Sequence, residues 1–270
     1  MHPAHPSTAN IAIKPEGGPM NRSRHLMTAT MLTLSITSVH VSGLVFAADL
    51  DPIVTESMER VIEQYLRTHP EVIEQSLQAL EARREAEERA KQKVALAAHQ
   101  QELVDDPSSP ISGSASGNIT LVEFFDYRCG YCKRAAGAVT QLQKDDARVR
   151  VVYKDFPILG EASELAAKAA LASKAQGKHQ VFHEALLASK GEMTKESILA
   201  IARDVGLDTA RLEADMHNPE WQKVIDANRA LARTLGISGT PGFIVGTELV
   251  PGALDLNGLK ELIARAGTRP

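Results

Sequence analysis

The sequence predicts a mixed α/β layer with a helical insertion, preceded by an α-helical arm. Three observations carry that prediction. Apolar periodicity switches between strand and helix in the order β-α-β, helical block, β-β-α. A loop-like stretch, Asp105 to Gly117 (DDPSSPISGSASG), separates this region from a helical one nearly free of Gly, Pro and aromatic residues. The only two cysteines, Cys129 and Cys132, form one C-x-x-C where a strand turns into a helix.

At 270 residues and 43% hydrophobic content the chain is long enough for one or two domains with a core. A net charge of -4 gives no electrostatic footprint for nucleic acid. Two cysteines exclude a disulfide-dense scaffold and any Cys-rich zinc module. No phosphate loop, nucleotide fingerprint or serine triad is present, and neither a metal nor any other cofactor is expected.

The start of the chain reads as an address. Residues 1–19 show no hydrophobic period and read as an upstream extension. From Met20, Arg22 and Arg24 give a positive segment, Leu26 to Phe46 is apolar or small, and Val45-Phe46-Ala47 fits a small-x-small cleavage site. Removal of residues 1–47 is expected. The stretch is nearly long enough for a membrane anchor, but its Ser and Thr content and closing triplet favour cleavage. The exported chain then works where disulfides persist, which changes how a lone C-x-x-C reads.

Residues 48–105 are expected to form the arm. Val54, Met58, Val61, Ile62, Tyr65 and Leu66 recur at helical spacing. Thr68-His69-Pro70-Glu71 reads as a capping box with Thr68 as N-cap and Pro70 in the first turn. Val72, Ile73, Leu77 and Leu80 extend the apolar stripe. Glu81 to Lys93 is densely charged, a solvated helical stalk. The arm holds too few residues for its own core. Self-association through residues 50–80 is the preferred outcome, and packing on its own domain is the alternative. The heptad is not sustained past Leu80, against a long coiled coil.

After a linker at 106–117, the domain 118–270 is expected to run as follows. Ile119–Phe125 is a buried strand, Lys133–Lys144 a helix, and Val149–Tyr153 a second strand. A helical block from about Glu161 to Leu235 breaks near Gly177, Gly191, Gly206 and Asn218-Pro219. Strands at Phe243–Val245 and around Leu249-Val250 follow, then a last helix from Leu256 to Ala266.

A strand, a turn and a C-x-x-C opening a helix place the first cysteine at a helix N-terminus. Unpaired N–H groups and the helix dipole there favour thiolate over thiol. Cys129 is therefore the expected nucleophile toward a substrate disulfide, and Cys132, one turn on and more buried, the resolving thiol. A half zinc site lacks its second Cys pair. A structural disulfide closing so small a loop would stabilise little.

The segment Leu121-Val-Glu-Phe-Phe-Asp-Tyr-Arg-Cys-Gly-Tyr-Cys-Lys133 resembles the active-site segment of DsbA-family thioredoxin-fold proteins. Leu235-Gly-Ile-Ser-Gly-Thr-Pro-Gly-Phe-Ile-Val245 resembles their cis-proline loop and following strand. The resemblance covers about residues 117–268. The charged arm, with its His-Pro-Glu-Val-Ile restart at His69, resembles the ScsC-like and Com1-like subgroup; in ScsC-like proteins such an arm can mediate oligomerisation. The resemblance implies a thioredoxin-like fold, a cis Thr240–Pro241 bond beside the cysteines, and pairing of Thr240 with an extended substrate. It assigns Glu123 as a buried acid exchanging a proton with Cys132. Lys154, after the second strand, is a separate candidate for its charge partner. Tyr131 would tune the couple and offer an aromatic contact.

Strongly oxidising DsbA proteins carry Pro-His between their cysteines and Val before the cis-Pro. Gly130-Tyr131 and Thr240 look more like the isomerase DsbC, although the arm does not look like the DsbC dimerisation domain. The leading expectation is a periplasmic disulfide isomerase or reductase acting on exported proteins with cysteines. It would be a homo-oligomer served by a membrane partner of the DsbD type. The alternatives are a DsbA-like oxidase with a DsbB-type partner, and a holdase or binding protein whose disulfide is incidental. His179 and His183, spaced i, i+4, lack the Glu and third ligand of a metal motif and read as core. Copper on the thiolate pair stays a physiological possibility by softness. Trp221 reads as helix packing.

Overall fold

The computed structural model describes residues 51–267, Ala115 excepted. The expected leader 1–47 and its cleavage point after Ala47 lie outside the described residues. The chain divides into two compact units, with the boundary between Val61 and Ile62.

The described part of the first unit is the start of α1 (Pro52–Thr68). Its first turn is held by the Asp51 carboxylate, which accepts from the Ile53 N–H at 2.9 Å. Ile53, Val54, Met58 and Val61 are all exposed.

The second unit begins within α1 and continues through α2 (Pro70–Ala98) and α3 (Gln100–Val104). The expected cap at Thr68 is not formed. The Thr68 hydroxyl instead donates back to the carbonyls of Gln64 and Tyr65, at 2.9 and 3.1 Å, and closes α1. His69 is the N-cap of α2, without a side-chain bond. Pro70 explains the shift, because the residue before a proline is pushed out of the helical region, and His69 sits at φ -130°, ψ 63°.

Five strands form one sheet in the order β1-β3-β2-β4-β5: β1 (Ile111–Gly113), β2 (Ile119–Phe125), β3 (Val149–Asp155), β4 (Gly242–Val245) and β5 (Glu248–Pro251). β2 and β3 are parallel and the other pairs antiparallel. The parallel pair requires a crossover, supplied by α4 (Gly130–Asp145). The stretch read as a linker at 106–117 thus contains an edge strand. Its short Ser-Gly sequence carries no alternation, and its pairing is dictated by the open edge of β3. Gly113 is required there: its φ is 85°, and a Cβ would stand 2.7 Å from the Val149 carbonyl oxygen.

Between β3 and β4 lies the insertion, α5 (Glu161–Ser173), α6 (His179–Ala188), α7 (Lys195–Asp204), α8 (Thr209–Asp215) and α9 (Pro219–Thr234); α10 (Leu256–Gly267) follows β5. The breaks fall where the sequence places them. Gly177 and Gly206 take positive φ, and Asn218 caps α9 by accepting from the Glu220 N–H at 3.0 Å. The Trp221 indole donates to the Asp215 carbonyl at 2.8 Å.

The sheet is covered on both faces. Leu121, Phe125, Val151 and Tyr153 point into the larger core with α4, the insertion and α10. Val122, Phe124, Val152 and Ile244 point to the other side, against Leu231 and Leu235 from the end of α9 and against Leu96 and Leu103. Leu96 and Leu103 belong to α2 and α3, and both are fully buried. The sequence divides the chain at 105, but burial runs across that point, because these two leucines complete the second face of the sheet.

Candidate active site

β2 aims the chain at the turn that carries the cysteines. Its last residue is followed by Asp126, whose buried carboxylate accepts from the N–H groups of Arg128, Ile158 and Leu159 and from the Ser163 hydroxyl, at 2.7 to 3.0 Å. One carboxylate thereby fixes the turn after β2 to the loop after β3. The sequence reading missed this residue; its Asp-x-Arg turn was the available signal.

Cys129 is the N-cap of α4, with extended φ and ψ, and Cys132 lies one turn inside. Both are free thiols; Cys129 keeps a sliver of exposure and Cys132 has none. The Cys129 Sγ approaches the Thr240 carbonyl oxygen at 3.3 Å. Burial alone would raise the Cys129 pKa. Hydrogen bonds involving the Thr240 side chain, the Cys132 N–H and thiol, and the Tyr131 N–H outweigh it and draw the thiol below its ordinary value. Cys132 moves the other way: burial, and then the charges of Glu123 and Cys129, push it far above the usual thiol range. The two sulfurs are therefore separated into a ready nucleophile and a reserve thiol.

Glu123 sits on β2 between Tyr153 of β3 and Phe243 of β4, 1% exposed. Desolvation raises its pKa to about 8, and its Oε1 has no hydrogen-bond partner among the described residues. It faces the same core as Cys132, whose charge it opposes. Lys154 is not its partner. Side chains alternate along a strand, so Lys154 points to the opposite side of the sheet from Tyr153 and Glu123. There its ammonium donates to the Glu102 carbonyl at 2.7 Å and to Asp106 at 2.8 Å.

Thr240–Pro241 is cis. The loop enters β4 next to β2, and the Pro241 carbonyl accepts from the Gly252 N–H at 2.8 Å. Tyr131 stands 58% exposed with the Arg134 guanidinium 4.1 Å from its ring centre. Gly130 faces open space; a Cβ there would meet only the Arg134 guanidinium at 3.9 Å. A groove of about 430 Å³ runs beside the cysteines between Tyr131, Thr240, Pro241, Leu249 and Pro251. Gln92 of α2 also lines it, a residue for which the sequence offered no signal.

His179 and His183 are buried in an aromatic core with Phe125 and Tyr153. Burial holds both below the usual imidazole range, His179 at about 3. His183 Nδ1 shares a 3.0 Å hydrogen bond with the Tyr127 hydroxyl. Among the described residues no group of three or more His, Cys, Asp or Glu could hold a metal ion.

Residues 120–264 match the model of the DSBA-like thioredoxin domain, and residues 55–87 match the N-terminal domain of the copper resistance protein ScsC. A thioredoxin-like oxidoreductase from Silicibacter pomeroyi is 45% identical, with a TM-score of 0.61 over 63% of this chain and 98% of that one. A linker-deletion mutant of ScsC from Proteus mirabilis is 26% identical, with a TM-score of 0.61 over 82% of this chain and 98% of that one. A periplasmic thioredoxin-like protein from Salmonella enterica serovar Typhimurium is 31% identical, with a TM-score of 0.58 over 62% and 94%. A curated relative, the Na(+)/H(+) antiporter NhaA 1 of Salinispora arenicola, is 30% identical over 62% of this chain. The match spans about a quarter (26%) of that relative's length. Among the described residues no helix is long and apolar enough to cross a membrane.

Proposed function

The chain belongs to the DSBA-like thioredoxin family, and from that footing we propose that it is a periplasmic disulfide isomerase and reductase of exported proteins. The observation that carries the reading is the divided cysteine pair: Cys129 lowered at the helix N-terminus beside Thr240, and Cys132 raised beneath it near Glu123. The Cys129 thiolate attacks one sulfur of a substrate disulfide. The S–S bond breaks, a mixed disulfide forms, and the other substrate sulfur leaves as thiolate. In isomerisation that thiolate, or a further substrate thiolate, attacks elsewhere until a new disulfide forms and Cys129 is expelled, with no net electron transfer. When the intermediate stalls, Cys132 passes its proton to the Glu123 carboxylate and attacks the Cys129 sulfur. The substrate leaves reduced by two electrons, and Cys129–Cys132 is left oxidised. A membrane thiol donor of the DsbD type would restore the dithiol.

Gly130-Tyr131 and Thr240 support isomerase over oxidase by their likeness to DsbC. The apolar residues left exposed on α1 and α2, among them Val61, Tyr65, Ile73 and Leu77, support a homo-oligomer joined through this arm. One observation favours the oxidase alternative: a stabilised Cys129 thiolate stabilises the reduced form, which is what makes a strong oxidant. The deciding experiment is reactivation of scrambled, fully oxidised ribonuclease with Cys129→Ser as control. Recovery that needs Cys129 supports the isomerase. Its absence, together with a potential near that of strong oxidants, replaces it with the oxidase.

A further inference from the structure

α2 crosses the rim of the redox site, and one of its residues differs from its neighbours. The helix is lined by surface ion pairs at Arg83–Glu87, Glu85–Arg89 and Glu88–Lys91. Gln92 follows them, is half-buried and carries no charge. Its Nε2 donates to the Leu235 carbonyl at 3.1 Å, across 143 residues of sequence. Leu235 closes α9 and opens the loop that leads through Gly236 and Gly239 to Thr240 and Pro241. Gly236 takes a φ of 72°, and the nearest atom to a Cβ there would be the Gln92 Nε2, 3.7 Å away. The other end of the amide, Oε1, has no partner among the described residues.

We propose that Gln92 is a substrate-binding residue: the helix ahead of the domain closes one wall of the groove and offers an acceptor to the backbone of an extended peptide held at Cys129. This rests on the redox reading above. A polypeptide joined to Cys129 that runs past Thr240, whose carbonyl is 3.3 Å from the sulfur, enters the groove that Gln92 lines. Gly236, Gly239 and Gly252 lie along that groove and expose backbone between its side chains. Such a lining suits an extended chain read by main-chain hydrogen bonds. A small disulfide without a peptide has nothing to place there.

The test compares full mature protein with Gln92→Ala and Gln92→Met, the second keeping helix propensity and bulk. Each is assayed on an extended peptide containing a disulfide and on bis(2-hydroxyethyl) disulfide. Loss of one neutral hydrogen bond should raise the peptide KM about three- to tenfold in both variants. The rate with the small disulfide, which also reports any loosening of the loop from Leu235 to Thr240, should fall much less than the peptide kcat/KM. Equal slowing of both substrates would overturn the proposal, since Gln92 would then act on the cysteines. An unchanged peptide KM would overturn it too. Wild-type protein that exchanges the small disulfide but not the peptide would remove the groove and keep the redox reading. Wild-type protein inert toward both would remove both.

Discussion

Replacing Glu123 by Gln should shift stability in favour of the variant as pH rises. The Glu123 carboxyl is buried among Tyr153 and Phe243, and burial raises its pKa from 4.5 to about 8. In the unfolded chain it would titrate at its ordinary value. A raised folded pKa means that stability is fully present below the unfolded value and is lost as pH rises through the folded one. At about pH 5 the unfolded carboxyl is already mostly ionised, and the penalty is about 1 kcal/mol; at about pH 7.5 it approaches 4 kcal/mol, taking about 1.4 kcal/mol per unit. Gln cannot ionise. Its buried amide adds an unsatisfied donor, a cost of about 1–3 kcal/mol that does not vary with pH. The Gln-for-Glu difference should therefore shift in favour of Gln by about 3 kcal/mol between these two pH values. Guanidinium unfolding of the reduced proteins at both pH values reads it directly. The same difference at both would refute the raised pKa of the buried carboxyl, and with it the base assigned to Cys132.

The same variant should slow resolution of the mixed disulfide by about 10²-fold while leaving attack by Cys129 intact, measured by quenched-flow trapping. Cys132→Ser should accumulate the mixed disulfide, visible on non-reducing gels, and Cys129→Ser should form none. Asp155, fully buried, also has its pKa raised to about 8 by burial. Asp155→Asn should remove a second part of the loss of stability toward alkaline pH, seen as a flatter Tm against pH. Deleting residues 48–80 should give a folded, active protein of monomer mass by light scattering. Extending the deletion through 105 removes Leu96 and Leu103 and should cost folding itself, because each buried leucine contributes about 2–5 kcal/mol.

What the sequence made legible is what short-range physics decides. The strands Ile119–Phe125 and Phe243–Val245 and the helix breaks at Gly177, Gly206 and Asn218 follow from local periodicity and turn chemistry, and the structure places them there. The nucleophile is legible in part: the N–H groups of Tyr131 and Cys132 that draw Cys129 down are local, but the strongest such contact, with Thr240, comes from 111 residues away. Glu123 is only half local. A carboxylate in an apolar strand is a visible anomaly, but its pKa depends on β3 and β4 closing over it. Lys154 shows where such reasoning went astray. It lies one residue beyond the strand neighbour of Glu123, and strand alternation alone puts it on the wrong face; only the register, Glu123 opposite Tyr153, makes that inference available. The dense charge of α2 misled in a similar way. It marks the solvated side of the helix and hides that Leu96 and Leu103, seven residues apart, turn the following segment inward. Gln92 carries no local mark, since its partner is 143 residues away. The parts of the site that touch sulfur are thus written in the motif. The parts proposed to touch substrate are written in the packing of the arm against the domain, so substitutions along the buried side of α2 should alter substrate preference more than redox potential.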